Sequence, residues 1–151
     1  MTDAFARFGA DLRLLDDLSH GNDRLPGNDL HTVRALSGRA DLATLAGVDN
    51  LCQALLMRFM TRRGELAALG HADYGSRLYT LIGELNNATN RNRAKLFVLE
   101  ALAAEPRVAR VLSVDVGAGG RDRLDITMKL KTIDGGTPLD LMFPFFIGVP
   151  G

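Results

Sequence analysis

The sequence predicts an α+β fold, a small single domain in which helices pack on one face of a mainly antiparallel sheet. Three observations support this prediction. Apolar residues recur at helical spacing over residues 48–60. Apolar and polar residues alternate through the last third of the chain, over residues 108–147. Glycine-rich turns separate the alternating segments, as they do in a β-meander.

The composition is globular and shows no charge bias. Hydrophobic residues make up 46% of the 151 residues, and 18 Lys and Arg balance 18 Asp and Glu. A net charge of zero argues against a nucleic-acid partner, because general nucleic-acid binders carry a basic excess. It is compatible with assembly into a larger particle. We find no secretory signal and no membrane span, and therefore expect a cytoplasmic protein or one built into such a particle.

The first third of the chain allows two interpretations. Its apolar residues fit one helix face, but a short strand over residues 12–14 fits equally well; the face consists of Phe5, Phe8, Leu12 and Leu15. We interpret residues 1–45 as an N-terminal extension that is partly strand or loop. Residues 46–151 are then the domain itself.

The clearest helix is predicted over residues 48–60. Its apolar face includes Cys52, which we therefore expect to be a buried, unreactive thiol. We expect Gly64 to end this helix, because glycine commonly follows a helix C-terminus.

Two further helices are predicted before the sheet. Ser76 is a candidate N-cap for a short helix that runs to about Leu85. Thr89 is a candidate N-cap for a helix over about residues 90–104. Pro106 cannot continue that helix, because proline has no backbone N–H to donate.

Three strands follow. The first begins near Val108, and Leu112, Val114 and Val116 are predicted on one face with it. A half-buried strand follows over residues 124–130, since its apolar residues alternate with charged ones. The third alternation consists of Leu139, Leu141, Phe143, Phe145 and Ile147. Pro144 interrupts it and cannot donate to a ladder, so this strand is predicted at the sheet edge. A long apolar edge invites pairing with another chain unless residues 1–45 cover it.

The residues give little support for catalysis, a metal or a cofactor. The three histidines lack the spacing of metal ligands, and the glycines at 117–120 fit no phosphate-binding fingerprint. For a glycoside hydrolase we considered Glu65, Asp73 and Glu105 as the carboxylates. Nearby arginines such as Arg107 lower carboxyl pKa values, which is the wrong direction for a general acid. We predict no catalytic residues, no cofactor and no metal site.

Short motifs in order give the chain a resemblance over residues 40–147. The motifs are Gly47-Val-Asp-Asn-Leu-Cys-Gln53, Met60-Thr61 with Gly64-Glu65, Asp73-Tyr-Gly75 with Leu78, and Glu105-Pro-Arg-Val108. With these motifs the chain resembles the baseplate wedge or sheath-initiator family of contractile phage tails and related injection machines. That family is often labelled lysozyme-like and includes TssE of type VI secretion.

The resemblance implies a structural, non-enzymatic component of a ring-shaped baseplate. It implies that Glu105, Pro106 and Arg107 bind the helical core bundle of the wedge. It also implies that the edge strand receives strands from the first ring of sheath subunits by β-augmentation. The partners are then wedge proteins and the sheath subunit, with no nucleic acid and no membrane. The alternative is a lysozyme-like peptidoglycan hydrolase.

Overall fold

A computed structural model describes the protein over residues 7–14 and 32–148, and its fold is the predicted α+β fold. The elements are β1 (Ala10–Leu12), β2 (Thr32–Arg34), β3 (Ala40–Leu42), β4 (Thr44–Ala46), α1 (Gly47–Met60), α2 (Ala88–Ala103), β5 (Val108–Ala118), β6 (Arg123–Thr132) and β7 (Leu139–Phe146). Two short 3-10 turns lie between the helices, at Ala67–Leu69 and Leu78–Leu81.

The main sheet is the predicted meander. Its strands pair antiparallel in the order β5-β6-β7, so β5 and β7 are the two edges. Two small antiparallel pairs precede it, β1 with β4 and β2 with β3. Both helices bury apolar residues against the inner face of the main sheet, which gives one continuous core. Its fully buried large side chains include Phe8, Leu51, Leu55, Phe59, Leu102, Leu124, Ile126, Met128 and Phe143.

The first predicted helix is confirmed, but Gly64 does not end it. α1 runs from Gly47 to Met60, and the backbone N–H of Thr61 closes its last turn by donating to Met57 O at 3.0 Å. Gly64 lies in the following turn with a φ of +89°. Cys52 is buried as predicted, and burial, together with Asp49 nearby, raises its thiol pKa to about 11.

The two helix starts predicted after α1 are wrong. Residues after Ser76 form only the 3-10 turn Leu78–Leu81, because the Gly83 N–H donates to Ile147 O at 2.6 Å and not to the preceding turn; the Ser76 hydroxyl donates to Phe59 O at 2.6 Å. Leu85 is therefore exposed. α2 starts at Ala88, and its N-cap is Asn87 instead of Thr89. The Asn87 side chain accepts the Asn90 N–H at 2.8 Å, as N-cap residues do.

Two register shifts correct the predicted face of β5. Pairing with β6 is irregular between Val108 and Arg110 and again between Val111 and Ser113, so the alternation moves by one residue and then returns to its first phase. Val111 packs partly against the core, and Leu112 points to solvent instead. Val114 is buried and Val116 is partly buried, as the alternation predicted.

The described part of the N-terminal region is mainly short strand, with Arg7 and Phe8 helical, and it contacts the core. Phe8 is buried, and its carbonyl accepts a hydrogen bond from Asn50 Nδ2 at 2.9 Å. The Gln53 side chain bonds both backbone groups offered to it, Leu12 O at 2.8 Å and Leu14 N–H at 2.9 Å. The candidate core positions Phe5 and Leu15 lie outside the described residues. The boundary at residue 46 stays a prediction.

Candidate partner-binding surfaces

The Glu-Pro-Arg corner is built around a buried carboxylate. Glu105 lies between α2 and β5 and is only 3% exposed. Arg107 donates two hydrogen bonds to this carboxylate, from Nε to Oε1 at 2.7 Å and from Nη2 to Oε2 at 3.2 Å. Arg58 of α1 adds a third, Nη2 to Oε2 at 3.3 Å. Paired bonds of this kind fix both distance and orientation, so α1 is tied to the corner.

The same guanidinium also holds the N-terminal segment. Arg107 Nη1 donates to the Phe8 carbonyl at 3.2 Å, across 99 positions of sequence. Arg58 in turn lies over the ring of Tyr74, with its guanidinium carbon 4.6 Å from the ring centroid. The corner therefore joins α1, the α2–β5 connection, the N-terminal segment and the loop that carries Tyr74.

Gly75 lets that loop approach the end of α1. Its φ is +108°, and a Cβ there would lie 2.6 Å from Thr61 O. Backbone hydrogen bonds join Ser76 to the segment after α1: the Ser76 N–H donates to Thr61 O at 2.9 Å, and the Arg63 N–H donates to Ser76 O at 3.1 Å. Only glycine accommodates both the dihedral and the close approach. The Asp-Tyr-Gly motif thus supports Arg58 and, through it, Glu105.

The carboxylates considered for hydrolysis lack the setting of a general acid. Burial alone raises the pKa of Glu105, but the hydrogen bonds and charges of Arg107 and Arg58 outweigh burial and lower it. Glu105 is therefore ionised at neutral pH, whereas a general acid must hold its proton. Glu65 and Asp73 are exposed to solvent. Across residues 7–14 and 32–148, no cluster of His, Cys, Asp and Glu has the arrangement of a metal site.

Of the three residues predicted to bind the wedge, only Pro106 is exposed. Glu105 is buried and Arg107 is half-buried, with the polar groups of both directed into the protein. An open hollow of about 290 Å³ lies at the same corner and reaches Ala104, two residues before Pro106. Its walls are Arg58, Gly70, His71, Ala72, Asp73, Tyr74 and Ala104.

The outer edge of β7 has no strand beside it among the described residues. The Ile147 N–H donates to Asp122 O at 2.9 Å, in line with the pairing of Phe146 with Arg123. Backbone groups alternate in direction along a strand, so the odd-numbered residues of β7 direct their N–H and C=O groups to β6. The even-numbered residues Asp140 and Met142 direct both groups, and Pro144 its carbonyl, to the outer edge.

The residues predicted as the sheath-binding edge belong to the odd-numbered set. The side chains of Leu141, Phe143 and Ile147 lie in the core, and Leu139 and Phe145 are partly buried at its margin. Phe143 contacts Phe59 of α1, with ring centroids 5.8 Å apart. These residues hold β7 in the sheet, and a partner strand would bond to their even-numbered neighbours.

The outward direction of the Asp140 and Met142 backbone groups was not predicted, although the sequence holds a signal for it. Proline is tolerated in a strand where its missing N–H faces away from the ladder. Pro144 therefore marks the even-numbered positions as the ones that face outward. No comparable signal pointed to Arg58 or to the Phe8 carbonyl, because both are remote in sequence from Glu105.

Comparison with known proteins defines the class. The sequence model of the contractile injection system sheath initiators matches residues 29–135, which is most of the chain. The chain therefore belongs to the sheath-initiator family, whose members are structural proteins of contractile injection systems. The match ends before β7 begins. The comparison with curated proteins gave no match.

A solved structure supports the fold. It is that of a Geobacter sulfurreducens protein provisionally named a tail lysozyme, which is 24% identical in sequence. The TM-score is 0.56, over 66% of this chain and 89% of the other. At this identity the likeness concerns the fold alone.

Family membership gives the chain a structural role in a contractile system, with baseplate and sheath proteins as its partners. In the described residues no helix is both long and apolar enough to cross a membrane.

We expect Arg107→Ala to destabilise the protein by about 3 kcal/mol at pH 7, because it breaks a buried ion pair. The pKa of Glu105 is lower in the folded state, so its stabilising effect is complete above its unfolded pKa and is lost as the pH falls through the folded value. The difference between variant and wild type should therefore shrink in acid. Urea unfolding at pH 7 and at decreasing pH measures this.

The control is Lys129→Ala, which removes an exposed ion pair with Asp140 at 3.7 Å. It should change stability by less than about 1 kcal/mol. Equal stabilities of Arg107→Ala and wild type at pH 7 would show that the corner does not depend on this pair.

Proposed function

We propose that this protein is a non-catalytic baseplate component that templates the first sheath ring by accepting a sheath strand on β7. The observation that carries this proposal is the outer edge of β7, beside which no strand of residues 7–14 and 32–148 lies. Asp140 and Met142 direct N–H groups to this edge, and outward-facing edge groups of this kind are the usual site of β-augmentation. Leu139 and Phe145 are only partly buried beside that edge, so an added strand would cover them.

A fixed edge gives a physical reason for initiation. A free sheath subunit has to find both its neighbour and its register before a ring can grow, which costs association entropy. An edge held in place by a rigid sheet supplies the register in advance. Several copies arranged in a baseplate ring would present several such edges in matched positions, so the first ring would form without separate nucleation.

We infer that the Glu-Pro-Arg corner is the wedge-binding side. Glu105 and Arg107 serve it as an internal brace, while exposed Pro106 and the adjacent hollow supply the contact surface. A rigid surface binds with little ordering cost, which favours a permanent assembly. The corner and the edge of β7 belong to opposite partners in this proposal, the wedge bundle and the sheath.

We expect Met142→Pro to abolish binding of the purified sheath subunit. The substitution removes one outward N–H but no bond to β6, because Met142 faces away from that strand. Pro144, two residues further on, is also an even-numbered residue of β7, so this strand already accommodates proline at such a position. The control is Met142→Ala, which keeps the N–H and should bind. A pull-down measures both variants, and thermal melting checks that each is folded. Binding by a folded Met142→Pro variant equal to that of Met142→Ala would exclude β-augmentation at this edge.

For the wedge side, we expect Ala104→Glu to weaken binding to the isolated wedge bundle and to leave the melting temperature unchanged. Ala104 is exposed and lines the hollow, so a charge there meets the partner and not the core. Ala109→Glu, an exposed position on β5, is the matched control. If both variants bound the bundle as wild type does, the contact would lie elsewhere on the chain.

A further inference from the structure

The charge on the free edge of β7 comes from Asp140. Its side chain is 70% exposed, and its carboxylate lies 3.7 Å from Lys129 Nζ on the neighbouring strand. Both partners are exposed and the distance is long, so this pair is weak. Asp140 is directly opposite Lys129, which is directly opposite Ser113 on β5. One row across the outer face of the sheet thus ends in an exposed carboxylate at the edge.

The next positions along the edge have different chemistry. Met142 is 42% exposed and lies opposite Thr127, so it adds an apolar contact. Pro144 offers a carbonyl but no N–H, so an added ladder loses a bond there. Along the edge, the acidic Asp140 is therefore followed by the apolar Met142 and then by Pro144, where the ladder of an added strand would be interrupted. Residues directly opposite each other in adjacent strands interact, and opposite charges there are favourable.

We propose that Asp140 selects a sheath strand that carries Lys or Arg directly opposite it and sets that strand's register. This inference rests on the proposed function and specifies its partner. The strand has an apolar residue opposite Met142, and on its other face apolar residues that extend the row of Leu139 and Leu141. A slip of two residues keeps the faces but moves the cation from Asp140 to Met142. Charge therefore distinguishes registers that the apolar pattern alone cannot.

The test measures the affinity of the purified sheath subunit for Asp140→Lys. The control is Asp115→Lys, which makes the same charge change on the outer face of β5, at the other edge. We expect Asp140→Lys to weaken binding about fivefold or more, and Asp115→Lys to have little effect. The difference should fall at about 1 M salt, where exposed charges are screened. Replacing the facing Lys or Arg of the sheath strand by Glu should restore binding to Asp140→Lys.

The results separate this inference from the proposed function. Equal binding by Asp140→Lys and Asp115→Lys, with Met142→Pro still inactive, overturns the charge selection and leaves β-augmentation standing. Binding by folded Met142→Pro as tight as that by Met142→Ala overturns both. No binding of the sheath subunit by the wild type also overturns both.

Discussion

The buried carboxylate of Glu105 is the interaction on which both surfaces depend. Arg107 and Arg58 bond to it from two different elements, and Arg107 extends the network to the Phe8 carbonyl. The next residue of α1 after Arg58 is Phe59, whose ring contacts Phe143 of β7. Two adjacent residues of α1 therefore connect the corner with the edge strand.

The edge strand combines two demands that usually conflict. A free edge risks unwanted pairing, so proteins keep such edges short, charged or interrupted by proline. β7 places Leu141 and Phe143 in the core and leaves Asp140 and Pro144 on the outer side. The strand is thus fixed by its buried side chains, while no strand of the described part of the chain pairs with its outward backbone groups. Deleting β7 would remove part of the core, so binding is better tested by single substitutions.

The sequence predicted the elements with strong periodicity and missed the effects of distant contacts. α1 was predicted within one residue of its start, since its apolar face repeats through several turns. The helix expected after Ser76 does not form, because the Gly83 N–H bonds to Ile147 O and not to the preceding turn, while the Ser76 hydroxyl fixes the start of this segment to Phe59 O. Neither partner is near in sequence, so local capping rules could not reveal them.

The predicted site residues show the same division. The Glu-Pro-Arg motif and the edge strand were recognisable, because proline interrupts a regular pattern in each. The inward direction of Arg107 was not, since it follows from the burial of Glu105 between Arg107 and Arg58 and from a bond to Phe8 O, 99 positions away. Hydrophobicity points to the odd-numbered residues of β7 as sheath-binding positions, but it marks the side chains that face the core. The direction of the backbone, which determines what a partner strand meets, follows from Pro144.

Residue-resolved hydrogen exchange of the β7 amides tests the central claim most directly. In the free protein, the amides of Asp140 and Met142 should exchange rapidly, while those of Leu141 and Phe143 are protected by bonds to β6. Addition of the sheath subunit should slow exchange at Asp140 and Met142 and change the other two little. Protection of all four amides in the free protein, or no change at Asp140 and Met142 with the sheath subunit bound, would contradict the account.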